Sequence, residues 1–149
     1  MHINSTIHTI LLADDDEDDR LLFEDALMHV SKEITLQTAE DGARLLKLLG
    51  DASSLPDVIF LDLNMPGKNG FECLREIRQQ DKLQQIPIII FSTGMQEEAI
   101  DKVYELGANY YICKPSSFPA LKNVLAKALA LNIDPSEQAT REHFVLANN

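Results

Sequence analysis

The chain has 149 residues, 45% hydrophobic and 25% charged, enough for one domain with a real core but hardly for two. Its 24 acids against 13 lysines and arginines give a formal charge of -11, which argues against nucleic acid or an anionic membrane as direct partner, since either needs a basic patch. The opening "MHINSTIHTILLA" has no lysine or arginine ahead of its short apolar run, so no signal peptide is expected, and no window approaches the roughly 20 residues of a membrane span. Cys73 and Cys113 have neither CxxC spacing nor a zinc-like histidine beside them, which reads as reduced thiols in a cytoplasmic protein.

Apolar runs of strand length alternate with segments of helical period. The first run, "TILLA" (9–13), breaks into six consecutive acids, Asp14 to Asp19, and a stripe of Leu22, Phe23, Ala26, Leu27 and Val30 follows. "ITLQTA" (34–39) leads into Ala43, Leu45, Leu46, Leu48 and Leu49. "DVIFLD" (57–62) ends in Asp62, and past Asn69-Gly70, a cap and helix start, come Phe71, Leu74, Ile77 and Arg78. "IPIIIFS" (86–92) ends in Ser92 ahead of a weaker helical pattern over 96–106. "NYYICK" (109–114) ends in Lys114, and Leu121, Val124, Leu125, Ala128 and Leu129 mark a fifth helix. Five such repeats predict an α/β domain over 1–131, a parallel sheet with helices on both faces. Residues 132–149 fall outside the rhythm and read as a tail, with a short helix that docks through Phe144 and Leu146.

In a parallel sheet all strands end on one edge, where ligands bind. Asp14, Asp15, Asp62, Ser92 and Lys114 should therefore converge, with Glu40-Asp41 either a further member or a helix cap. Carboxylates gathered in this way suit a hard divalent cation, Mg²⁺ above all, which takes a few carboxylates and a carbonyl and keeps several waters. With a hydroxyl and an ammonium beside them, they supply the parts for moving a phosphoryl group onto Asp62.

The segments "LLADDDEDD", "VIFLDLNMPGKNGFE", "IPIIIFSTG" and "YYICKP", in that order, resemble the receiver domain of bacterial two-component response regulators over residues 7 to about 131. The resemblance implies a doubly wound, flavodoxin-like (βα)5 fold with strand order 2-1-3-4-5, an order the handed-down family pattern supplies. It implies that Asp62 accepts the phosphoryl group, that Asp15 binds Mg²⁺ directly and Asp14 mostly through water, and that Asn64 offers its backbone carbonyl. Ser92 takes the place of the switch hydroxyl, Lys114 that of the invariant lysine and Tyr111 that of the switch aromatic, with Pro115 joined to Lys114 by a cis bond. Asn69 stands where the family often has Asp, and the tail exceeds what a bare receiver needs. The expected partners are a sensor histidine kinase or phosphotransfer protein and an unnamed downstream protein, with a homodimer also open. No separate output enzyme is expected.

Plainer readings exist for each residue. Acids at a helix start favour the helix dipole, and Asp16, Glu17, Asp18 and Asp19 read as solvated first-turn acids. Thr93 competes with Ser92, and Tyr110 with Tyr111, for the inward position. The acids from Asp14 to Asp25 loosely imitate an EF-hand loop, but Asp19 stands where that loop needs Gly. Asp14-x-Asp16 also resembles the start of an aspartate-nucleophile phosphohydrolase, which would leave "LDLNMPG" and "KP" unexplained. A third alternative keeps the fold as an adapter that acts without phosphorylation.

Overall fold

The computed structural model describes residues 7–134 and 136–147. Strands β1 (Thr9–Ala13), β2 (Thr35–Ala39), β3 (Val58–Leu61), β4 (Ile88–Ser92) and β5 (Tyr110–Cys113) alternate with helices α1 (Glu17–Val30), α2 (Gly42–Asp51), α3 (Gly70–Gln79), α4 (Glu97–Glu105) and α5 (Phe118–Ala130). All strand pairs are parallel and the order is β2-β1-β3-β4-β5, as the resemblance implied. β3 and β4 are buried at every residue, as strands covered on both faces must be, whereas β2 at one edge is largely exposed.

Side chains alternate across the sheet and so build two cores. Leu11, Ile59, Leu61, Ile88, Ile90 and Tyr111 face α2, α3 and α4. Ile10, Leu12, Phe60, Ile89, Phe91 and Ile112 face α1 and α5, where Phe23, Phe60 and Phe91 meet edge to face. The helix starts are chemically marked. Asp16 caps α1 and Asp41 caps α2, which settles Glu40-Asp41 as a cap. Asn69 and Glu72 form a reciprocal capping box at α3, and Ser117 caps α5.

Two periodicity readings need correction. Leu22, placed on the core stripe of α1, is exposed, and so is Ala43 of α2. α1 meets only the sheet and α5, so its inward stripe narrows to Phe23, Ala26 and Leu27. In the tail, the expected helix is a single 3-10 turn, Arg141–His143. It delivers Phe144, wholly buried, into the core on the α4 side, and Leu146 packs against the core on the opposite face. Among the described residues, no helix is long and apolar enough to cross a membrane.

Candidate functional site

Parallel register brings three strand ends to one rim. Asp62 N–H donates to Ala13 O at 3.0 Å, Asp14 N–H donates to Ala39 O at 3.0 Å, and Lys114 N–H donates to Ser92 O at 2.9 Å. Each residue one step past its strand is thereby locked to its neighbour, and the side chains of Asp14, Asp62, Ser92 and Lys114 meet.

The two oxygens of Asp62 are held by different groups. Oδ1 accepts from Ser92 Oγ at 2.9 Å and from Asn64 N–H at 3.0 Å, and Oδ2 accepts from Lys114 Nζ at 2.9 Å. Ser92 also receives Asn64 Nδ2 at 3.3 Å and Leu63 N–H at 3.4 Å. Asp14 Oδ1 accepts from Asp16 N–H at 3.0 Å, and the Arg20 guanidinium donates to Asp14 O at 2.8 Å. Asp14 Oδ2 lies 2.8 Å from Lys114 Nζ, an ion pair whose approach is not aligned as a hydrogen bond.

The rim carries stress. Burial pushes the Asp14 carboxyl up to about 6, against the pull of Lys114 and of the Asp16 N–H. Burial also works against the charge on Lys114, but the bonds to Asp14, Asp19 and Asp62 outweigh it and hold its pKa above the ordinary lysine value. Asp14, Asp15 and Asp62 bring carboxylate oxygens within 4.8 Å of one another, two of the residues buried and Asp15 exposed. With Asp19 they set four acids around a single ammonium. That excess of hard oxygen donors, one of them a buried oxygen without an aligned donor, fits a divalent cation.

Asp62, Ser92, Lys114 and Asp14 therefore come together, with Asp15 at the outer margin and Asn64 joined through its amide groups. Ser92 is buried and Thr93 exposed; Tyr111 is buried and Tyr110 only partly so. Tyr111 already points inward, its hydroxyl donating to Gly94 O at 2.8 Å. A cavity of about 370 Å³ opens beside it, lined by Leu63, Asn64, Phe71, Ser92 and Gly94 among others. One implied feature is corrected: no peptide bond among the described residues is cis, so Lys114–Pro115 is trans. Trans is the intrinsically favoured form of an X–Pro bond, by about 0.5–1 kcal/mol.

Two residues were missed. Asp19, read as a solvated acid, places Oδ2 2.8 Å from Lys114 Nζ. Only the rotation of α1 about its axis separates it from Asp18, and that rotation is set by packing. Gly70, read as a helix start, donates its N–H to Leu63 O at 3.2 Å, and a methyl group there would fall on the Asp62 carbonyl. Asp16, the second acid of the phosphohydrolase alternative, spends its side chain capping α1 through Asp19 N–H at 3.1 Å.

A doubly wound sheet with buried carboxylates, a hydroxyl and a lysine at its carboxyl edge defines a receiver-type signalling domain. The sequence profile of the response regulator receiver domain matches residues 10–126, and the chain belongs to that family. It is 34% identical over 110 residues to the response regulator Rcp1 of Synechocystis, covering 70% of this chain and 75% of Rcp1. It is 29% identical over 120 residues to a probable methanogenesis regulatory protein, FilR2, of Methanothrix harundinacea, covering 78% of this chain and 77% of that one. Among solved structures, the phosphorylated cyanobacterial phytochrome response regulator RcpA superposes with a TM-score of 0.76 at 31% identity, over 83% of this chain and 91% of that one. The Mn²⁺-bound form of Rcp1 does so with a TM-score of 0.76 at 30% identity, over 86% and 99%.

Proposed function

We propose that this chain is a phosphoacceptor: Asp62 takes a phosphoryl group from a phosphohistidine on a sensor histidine kinase or phosphotransfer protein. The observation that carries this reading is the grip on Asp62, one oxygen held by the Ser92 hydroxyl and the other by the Lys114 ammonium. A carboxylate serving only structure would need neither at the open rim of a sheet.

In the transfer, an Asp62 oxygen attacks phosphorus while the phosphorus–nitrogen bond to the donor imidazole breaks and the imidazole leaves. Lys114 neutralises charge on the transferring oxygens, and Ser92 turns its hydroxyl from the carboxylate to the phosphoryl group. The Asn64 N–H keeps the carboxylate oriented throughout. Asp15, Asp62 and the Asn64 carbonyl would hold Mg²⁺, with Asp14 behind them; the ion supplies charge neutralisation and alignment to the phosphoryl oxygens. A relative crystallised with Mn²⁺ and another crystallised phosphorylated support both parts of this reading. The product carries about two negative charges beside Ser92 and Lys114, which is how a local charge event biases a two-state surface for a downstream protein. We place the protein in the cytoplasm, where such a donor would meet it.

The test is intact mass after incubation with acetyl phosphate, with and without Mg²⁺, on wild type and Asp62→Asn. A gain of one phosphoryl group, only with metal and only on wild type, is expected. A phosphorylated Asp62→Asn chain would remove Asp62 from its role. An unlabelled wild type, against acetyl phosphate and a panel of kinases alike, would favour the adapter that needs no phosphorylation.

A further inference from the structure

The tail occupies the outer edge of β5. Tyr111 turns its backbone groups outward there, and both are taken: its N–H donates to Phe144 O at 3.0 Å, and its C=O accepts from Leu146 N–H at 2.9 Å, a parallel bridge centred on Val145. Phe144 is fully buried with its ring edge-on to Tyr104, 5.0 Å between centroids. The Tyr104 hydroxyl donates to Ala139 O at 2.9 Å, and Arg141 reaches Glu97 and Asp101 of α4, each at 2.7 Å. An unpaired sheet edge with an aromatic pocket and acidic flank is built to receive an extended segment carrying a basic residue ahead of an aromatic anchor, and "REHF" is such a segment.

Tyr111 also belongs to the rim. Its hydroxyl donates to Gly94 O, two residues beyond Ser92, whose own hydroxyl rests on Asp62. One residue thus joins the loop behind the acceptor to the strand edge that holds the tail.

We propose that the α4–β5 edge is a binding site for an extended segment, that residues 138–147 are its built-in occupant, and that phosphorylation of Asp62 tightens this occupancy through Tyr111. The proposal rests on the phosphoacceptor reading above. Its sign follows from the state observed: Ser92 drawn to Asp62, Tyr111 inward and the tail seated all coexist. A phosphoryl group adds acceptor oxygens that keep the Ser92 hydroxyl at the site, and so favours that state. By linkage, the seated tail favours phosphorylation in return.

The experiment is hydrogen exchange at the Tyr111 and Leu146 amides of the full chain, before and after loading with acetyl phosphate and Mg²⁺, with uptake checked by intact mass. Loading should slow both amides at least about fivefold, the lower end of ordinary coupling; equal rates at full uptake would overturn the coupling. Tyr111→Phe keeps both backbone bonds and loses only the hydroxyl. It should exchange faster at Leu146 when unloaded and cease to respond to loading; a wild-type response would overturn the route through Tyr111. Arg141→Glu should speed exchange at Leu146 severalfold, and no change would remove the tail from α4. Protection that grows with protein concentration would put a second copy's tail on the edge and overturn the assignment within one chain. A wild type that takes up no phosphoryl group sinks the proposed function instead, and the coupling is then decided by unloaded Tyr111→Phe, whose failure to speed Leu146 exchange would overturn it.

Discussion

At the carboxyl ends of β1 and β3, Asp14 and Asp62 are buried carboxylates that share one lysine with Asp19. At the outer edge of β5, every polar group that Tyr111 presents is paired: its hydroxyl with Gly94 and its backbone with the tail. Beside it, Phe144 adds a fully buried ring. The first region keeps charge where burial opposes it, and the second removes apolar surface from water with no orphaned group. Strained charge gathers where chemistry is done, and the satisfied region supplies stability elsewhere.

Mutations should break that contrast in opposite directions. Phe144→Ala should cost about 3–5 kcal/mol, read as a lower urea midpoint, because it empties a filled core position. A cost under about 1 kcal/mol would mean the tail is hardly seated. Asp14→Asn should do the reverse and stabilise the metal-free chain at pH 7 by up to about 3 kcal/mol, since it removes a buried charge. The same variant should lose most of the thermal shift that wild type gains from Mg²⁺. If it is less stable than wild type without metal, the rim is not the strained region. Gly70→Ala should destabilise by about 1–3 kcal/mol and slow phosphoryl uptake, because the added methyl displaces the backbone of the acceptor. Normal uptake would show that the loop accommodates it.

The smallest effect is one of pH. Folding raises the Asp14 pKa, so between the ordinary carboxylate value and about 6 the folded chain binds a proton that the unfolded chain has released. That contribution is present at low pH and is lost as pH rises through about 4 to about 6, and Asp14→Asn should flatten this part of the profile. Mg²⁺ competes with the proton, so its stabilising increment should grow as pH rises across the same window. A metal response equal at pH 5 and pH 7 would separate Asp14 from the cation.

The central strands were legible because continuous apolar runs such as "VIFLD" and "IIIFS" have no other use in a sheet covered on both faces. Their last residues could be assigned to one rim because parallel strands end together, and Asp14, Asp62, Ser92 and Lys114 do meet there. The order of the strands came with the family resemblance. Composition, strand–helix alternation and the polar residue closing each strand are local properties, written in periods of two and 3.6 residues, and the sequence by itself determined them. Packing decided the rest. It turned Leu22 outward and Asp19 toward Lys114, left the Lys114–Pro115 bond trans, and laid the tail on the edge of β5. Each of these depends on the rotation of an element against partners as much as 95 residues away, and contact over that range leaves no local period to read.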